Sequence, residues 1–202
     1  KIFCLWVLLL LNSCNESSNR PYSFYYWRTN LSFNSTEAAA LKKADTPYLY
    51  TRFFDIEKVN GKFQPVAIIT KDPTFKTDKE IVPVVFIKND VFYDITLDEL
   101  DFLAQNVASL IKKKQTEFQF KNSEEIQIDC DWTLSSRDTY LKFIESFKKI
   151  SGKTLSATIR LHQIKYYKKT KIPNVDKGVL MYYNMGSIAA DSLNSIYDSK
   201  IA

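Results

Sequence analysis

The sequence predicts an α/β fold in which helices cover a parallel β-sheet. Six apolar or aromatic runs of strand length alternate with segments whose apolar residues recur at helical spacing. Strands that alternate with helices are typical of a parallel sheet. The run at residues 81–87 is nearly continuous in apolar residues, as expected of a strand covered on both faces. Six such units fit either an open doubly wound sheet or most of an eightfold barrel.

The order of the predicted elements follows from these runs and from turn and capping residues. The predicted strands lie at residues 23–28, 48–55, 81–87, 126–132, 155–162 and 179–184. Between the second and third strands, a turn-rich segment around Asn60 and Gly61 with an extra strand at 66–69 is interpreted as an insertion. It interrupts the repeat without forming a new domain.

Three helices have recognisable starts. Ser35 is the predicted N-cap of a short helix that precedes the second strand, and Ser136 is the predicted N-cap of the helix that stops at Gly152. Thr96 and Glu99 have the spacing of a capping box and open the longest helical pattern.

The N-terminus predicts export. An apolar run at residues 2–11 follows Lys1 and is shorter than the roughly 20 residues that cross a bilayer. Residues 1–13 therefore predict a signal peptide. The next residues, Leu11-Asn12-Ser13-Cys14, resemble the bacterial lipobox, which implies cleavage before Cys14 and its lipidation. Residues 14–22 would form a flexible tether, and residues 23–202 would form the barrel domain.

A lipidated Cys14 predicts a membrane partner and a location in the cell envelope, because two or more acyl chains anchor a protein stably. The alternative is an ordinary secretory signal in which the cysteines are incidental.

Composition excludes several classes of function. The formal charge of +5 is modest and the lysines are scattered, so a nucleic acid is not an expected partner. With Cys4 in the signal and Cys14 lipidated, Cys130 has no disulfide partner, and a single His gives no zinc-type cluster. No Gly-rich turn follows a strand, so no nucleotide cofactor is predicted.

The strongest candidate site residues are Asp129 and Asp131 on the fourth strand. Period-two alternation places them on the face opposite Ile128 and Cys130, about 6.6 Å apart along the strand. In parallel α/β folds the site lies at the carboxyl ends of the strands, and two close carboxylates there are typical of catalytic or ligand-binding sites. The structural alternative is that one aspartate caps the next helix while the other meets a backbone amide.

The fifth strand adds two residues on the same face. Arg160 and His162 alternate with the apolar Ile159 and Leu161, so both would lie beside the aspartates of the fourth strand. An Asp131 to Arg160 ion pair that holds the sheet together is as good an explanation as a catalytic role, and a lone His is more often structural.

Two motifs resemble the family-18 glycoside hydrolases, the chitinase-like barrels. The segment from Gln127 to Thr133 resembles their fourth-strand motif D-G-x-D-x-D-x-E, and Met181-Tyr182-Tyr183-Asn184 resembles their sixth-strand M-x-Y-D. The resemblance implies that Asp129 and Asp131 correspond to the two inner aspartates. It also implies that Met181 and Tyr183 contact the sugar, and that Asn184 replaces an aspartate.

The chain departs from that family where the acid belongs. Thr133 occupies the position of the catalytic glutamate, and Ile126 that of the first aspartate. A threonine hydroxyl cannot act as a general acid near neutral pH. From Phe24 to Gly186 the chain also resembles a group of uncharacterised bacterial extracytoplasmic proteins built on the same barrel.

These resemblances imply a (β/α)8 TIM-barrel-like fold that is incomplete. An eightfold barrel takes about 250 residues, so about six βα units and a C-terminal truncation are expected. The expected function is to bind or process a glycan, or another small ligand, with Asp129 and Asp131 at the centre. Arg160 would position the sugar, and Trp27 or Trp132 would offer a stacking face. The alternative is a non-catalytic binding or scaffold barrel in a cell-envelope assembly.

Overall fold

The computed structural model describes residues 22–44 and 46–182. The predicted signal peptide, the predicted lipidation site Cys14 and all but the last residue of the predicted tether lie outside these ranges. Two of the predicted sugar-binding residues, Tyr183 and Asn184, lie outside them as well.

The described residues form nine strands. In chain order they are β1 (Phe24–Tyr26), β2 (Asn30–Leu31), β3 (Tyr48–Val59), β4 (Lys62–Val66), β5 (Thr70–Lys71), β6 (Glu80–Ile87), β7 (Glu125–Asp129), β8 (Thr154–Arg160) and β9 (Lys177–Met181). Seven of them form the main sheet. Six lie in the order β1-β3-β6-β7-β8-β9, with every neighbouring pair parallel, and β4 pairs antiparallel with β3 beside this path. The predicted α/β fold with six parallel strands is confirmed.

Helices connect most of these strands. They are α1 (Ser35–Lys43), α2 (Leu97–Glu117), α3 (Arg137–Ser151), α4 (Leu161–Lys165) and α5 (Tyr167–Thr170), with a 3-10 helix at Asn89–Phe92. Because α2 and α3 each join two parallel strands, they run from the carboxyl end of the sheet back to its amino end. None of the helices in the described residues is long and apolar enough to span a membrane.

Of the four helix-capping predictions made from the sequence, two are confirmed. The Glu99 amide donates to Thr96 Oγ1, and the Thr96 amide donates to Glu99 Oε2, so the predicted capping box is confirmed. Gly152 ends α3 with φ of +60°, the left-handed conformation that glycine adopts without steric cost. The prediction of Ser35 as an N-cap is wrong, because Ser35 is already helical and Asn34 accepts the Glu37 amide.

Ser136 precedes α3 as predicted, but its side chain does not cap the helix. Its backbone is already helical, and its hydroxyl instead accepts the Thr133 amide at 3.0 Å and donates to Asn89 Oδ1. Ser136 therefore joins the loop after β7 to the loop after β6.

The insertion is a hairpin, and the predicted strand at 66–69 is wrong. β4 ends at Val66 and pairs antiparallel with β3 across a turn in which both Asn60 and Gly61 have positive φ. Such a two-residue turn matches the twist of the strands it joins. Ala67 also has positive φ, so the chain leaves the strand there before β5 begins.

Three predicted strands end earlier than expected. β7 ends at Asp129, so Cys130, Asp131 and Trp132 follow the strand rather than belong to it. His162 lies on α4 and not on β8, and β9 ends at Met181. After β7 and β8 the chain enters the loops at the carboxyl end of the sheet.

The hydrophobic core lies between the outer face of the sheet and helices α2 and α3. Ile128 and Cys130 point into it, as their alternation predicted, and are almost fully buried. Aromatic rings dominate the α3 side, where Phe92, Tyr140 and Phe143 pack with ring centroids about 5.5 Å apart. The outer face of the sheet is thus apolar, which leaves the inner face for polar side chains.

Candidate functional site

The inner, concave face of the sheet carries a network of buried polar side chains. Gln127 on β7 lies at its centre, with its Nε2 donating to Ser156 Oγ at 3.2 Å. The Tyr25 hydroxyl donates to Gln127 Oε1 at 2.8 Å. β1 and β7 are separated by three strand spacings, about 14 Å along a sheet. Because the side chains of Tyr25 and Gln127, which both rise from the same face, meet across that separation, the sheet must curl towards a barrel.

At the amino end of the strands, Glu125 links three of them. Its carboxylate accepts the Tyr50 hydroxyl of β3 at 3.0 Å and the Lys177 ammonium of β9 at 2.5 Å. Glu125 raises the pKa of Lys177, and burial beside the same carboxylate raises the pKa of Tyr50. Each polar group has its partner within the sheet, so this cluster holds the curled strands together.

At the carboxyl end, Asp129 is buried within the same face. Asp129 is the last residue of β7 and is 5% exposed. Its carboxylate accepts a hydrogen bond from the Thr158 hydroxyl of β8 at 2.5 Å. Burial raises the pKa of Asp129, while the bond from Thr158 and the charge of Arg160 act in the opposite direction. Asp129 thus pairs with a side-chain hydroxyl. That partner is neither a helix N-terminus nor a backbone amide, the two roles that the structural alternative proposed.

Asp131 lies two residues after Asp129, beyond the carboxyl end of β7. Its carboxylate forms an ion pair with Arg160 Nε. The Asp131 side chain is about half exposed and that of Arg160 is mostly buried. The ion pair considered from the sequence is therefore present, and it stands at the mouth of the concave face.

A second pair on this face, Arg52 and Asp55 of β3, was missed by sequence reasoning. Their spacing of three would place them on opposite faces of a regular strand. The register between β3 and β6 shifts between Arg52 and Phe54, so a bulge turns both side chains to the same side. The Arg52 Nε then donates to Asp55 Oδ1 at 2.6 Å. A bulge leaves no pattern in a single sequence that would have revealed the pair.

Thr133, where the motif resemblance would place an acid, belongs to a neutral hydrogen-bonded cluster. Thr133 is exposed in the loop after β7, and its hydroxyl lies 3.4 Å from Asn89 Nδ2 and 3.3 Å from the Tyr93 hydroxyl. Asn89 Nδ2 also donates to Tyr93 at 2.8 Å. Asn89 and Tyr93 come from the loop after β6 and were not among the sequence candidates.

The two tryptophans proposed as stacking faces differ. Trp27 directly follows β1, is 39% exposed, and stacks on Tyr25 with ring centroids 5.6 Å apart and planes within 5°. Trp132 cannot offer a face to a ligand, because it is 1% exposed and stacks on Tyr140 in the core. That expectation is wrong.

The remaining candidates among the described residues, Met181 and His162, lie at the same end of the barrel. Met181 ends β9 and is paired in register with Arg160, which brings it to the mouth of the concave face. His162 is exposed on α4, outside the strand face where the alternation had placed it. Within the described ranges, no group of three or more His, Cys, Asp or Glu side chains is arranged to hold a metal ion.

Comparison with known proteins agrees with this geometry at the level of the fold. No protein-family model and no curated protein matches the sequence. Among solved structures, the chitinase domain of the spore coat protein CotE from Clostridium difficile is similar, with a TM-score of 0.54 and 14% sequence identity. The fold is that of a chitinase-like barrel. The alignment covers 95% of this chain but spans only 59% of that chain.

This similarity confirms the predicted fold class, an incomplete (β/α) barrel of six parallel strands within the described residues. At 14% identity it establishes the fold alone. What the chain binds must be argued from its own side chains.

Proposed function

We propose that this protein binds a glycan at the carboxyl end of its barrel, in the cell envelope, where Cys14 anchors it to a membrane through lipid. The observation that carries the glycan proposal is the pair of carboxylates on β7 and just beyond it. Asp129 is buried with a raised pKa, and Asp131 is half exposed beside Arg160. Both lie at the end of a chitinase-like barrel where ligands bind in this architecture.

The two carboxylates suit different tasks. Asp131 and Arg160 together offer acceptors and donors at the mouth of the site, and sugar hydroxyls can pair with both. Asp129 has its own partner in Thr158 and supports the residues above it from inside the sheet. Trp27, exposed and held flat against Tyr25, offers an apolar face of the kind on which sugar rings stack.

Binding is favoured over hydrolysis by the residues around Thr133. Its hydroxyl contacts Asn89 and Tyr93, and this neutral cluster takes the position of the carboxylic acid in the motif it resembles. Protonation of a leaving oxygen near neutral pH requires a group whose pKa lies near that pH. We therefore propose that the site holds a glycan without cleaving it by the family's usual route.

Calorimetric titration with a hexamer of N-acetylglucosamine tests this proposal. Loss of one hydrogen bond to a charged group costs about 1.5 to 3 kcal/mol, so Asp131→Asn should weaken binding by about 10- to 100-fold. Trp27→Ala should weaken it as well. Asp78→Asn is the matched control, because Asp78 is an exposed aspartate just before β6, at the opposite end of the barrel.

The outcomes separate the candidate functions. Binding that depends on Asp131, with no new reducing ends released from the hexamer, supports a binding protein. Release of reducing ends that stops in Asp131→Asn would favour a glycosidase with Asp131 as its acid. No binding to any member of a glycan panel, with normal folding, would favour the scaffold alternative.

The membrane anchor has its own test. Cells that produce the protein in the presence of labelled palmitate should incorporate the label, and Cys14→Ala should abolish incorporation. Secretion of an unlabelled, cleaved protein by the unaltered sequence would instead indicate an ordinary secretory signal.

A further inference from the structure

A basic loop follows β8 at the same end of the barrel as the candidate site. It comprises residues 161–175 and includes α4 and α5. The loop contains no acidic residue, and it carries four lysines, namely Lys165, Lys168, Lys169 and Lys171. Asp138 of α3 interacts electrostatically with Lys171. Lysines that are scattered elsewhere in the chain are clustered in this loop, and such a cluster is typical of a surface for an anionic partner.

Buried hydrogen bonds fix this basic loop against the site. Gln163 Oε1 accepts the Arg160 amide at 2.7 Å, and Gln163 Nε2 donates to the Trp132 carbonyl at 3.0 Å. The Trp132 indole donates in turn to the Thr170 carbonyl at 3.2 Å. Trp132 directly follows Asp131, so the loop is attached to the backbone next to both members of the Asp131 to Arg160 pair.

The side chains that the loop displays are exposed. Lys165, Lys168 and Lys169 point to solvent, and within residues 22–44 and 46–182 none of the three has a salt-bridge partner. Tyr166 and Tyr167 are each more than half exposed beside them. The basic loop therefore presents cations and aromatic rings together on a fixed support.

We infer that the glycan is an acidic polysaccharide, whose carboxylate or phosphate groups lie along the basic loop while one sugar enters the site at Asp131. This inference rests on the proposed function and adds the charge of the ligand to it. Lysine ammonium groups pair with carboxylate or phosphate, and tyrosine rings offer an apolar face with a polar tip, as a sugar chain requires. The loop borders the site directly, so one extended chain can contact both.

Two hexasaccharides of equal length, one neutral and one acidic, test the inference. One is the neutral N-acetylglucosamine hexamer, and the other alternates N-acetylglucosamine with glucuronate. The acidic hexamer should bind more tightly at low salt, with an affinity that falls as salt is raised. Lys168→Gln with Lys169→Gln should weaken its binding by about two- to 25-fold, since each exposed ion pair contributes a factor of about 1.5 to 5.

The matched control removes the same charge elsewhere. Lys112→Gln with Lys113→Gln alters two exposed lysines near the end of α2, at the amino end of the strands. This variant should bind the acidic hexamer as the unaltered protein does. Neither pair of substitutions should change the affinity for the neutral hexamer.

Each other outcome overturns the inference. Equal affinity for both hexamers would exclude an acidic ligand and leave the proposed glycan binding intact. Equal weakening by the two lysine pairs would show an effect of net charge rather than of the basic loop. Tighter, loop-dependent binding to phosphatidylglycerol vesicles than to the acidic hexamer would assign the loop to a membrane surface. No binding of either hexamer would overturn this inference and the proposed function together.

Discussion

The hydrogen bond between Thr158 and Asp129 makes a quantitative prediction about stability and pH. Both side chains are buried, and the Thr158 hydroxyl lies 2.5 Å from Asp129 Oδ1, a distance typical of a bond to a carboxylate. Valine has nearly the shape of threonine, so Thr158→Val removes the bond with little change in packing. A bond to a charged group contributes about 2 kcal/mol and a neutral one about 1 kcal/mol.

The loss should therefore grow with pH. The pKa of Asp129 is raised above its ordinary 3.8, so ionisation of this carboxyl destabilises the fold as the pH rises through the raised value. Thr158 opposes this effect, because its bond lowers the pKa. Thr158→Val should raise the pKa further, so the free energy of unfolding should fall by about 1 kcal/mol near pH 4 and by about 2 kcal/mol near pH 8.

Urea unfolding followed by far-ultraviolet circular dichroism at the two pH values measures both losses. Thr51→Val is the matched control, since Thr51 is equally buried but its hydroxyl donates to a backbone carbonyl, that of Leu49. Its effect should not depend on pH, and neither should that of Thr158→Val in an Asp129→Asn background. An equal loss at both pH values would refute the account of Asp129 as a buried carboxyl held by Thr158.

Three further changes test the core, a helix end and the anchoring of the basic loop. Phe143→Ala empties a fully buried position in the core and should lower the free energy of unfolding by about 3 to 5 kcal/mol. A loss below about 1 kcal/mol in urea unfolding would contradict the packing described. In Gly152→Ala the added methyl group meets no other atom, but alanine must adopt φ of +60°. The free energy of unfolding should therefore fall by about 1 kcal/mol in the same measurement, and no change would argue against a left-handed residue there. Trp132→Phe removes the hydrogen bond from the indole to the Thr170 carbonyl and should speed trypsin cleavage within the basic loop. An unchanged cleavage rate would show that this bond does not hold the loop in place.

Local signals in the sequence were sufficient for the fold class and for most element starts. The Thr96 and Glu99 capping box and the left-handed Gly152 involve residues at most four apart, so the relevant energies are local. The alternation of Ile128 with Asp129 was also enough to separate the apolar outer face of β7 from its polar inner face.

Local signals failed where the chain departs from a regular period. The bulge in β3 brings Arg52 and Asp55 together, although their spacing in the sequence separates them. β8 stops at Arg160, which takes His162 off the strand face, and the loop after β7 turns Trp132 into the core. Each of these outcomes depends on pairing or packing with a distant segment, which a single sequence does not display.

The sequence by itself determined that helices would cover a parallel sheet and that Asp129 would face away from the core, because both follow from the period of apolar residues along one segment. Only the tertiary structure decided which groups Asp129 and Asp131 contact, and which hydrogen bonds attach the basic loop beside them. Those contacts join strands and loops that are tens of residues apart, so they are set by the curl of the sheet rather than by any local preference of the chain.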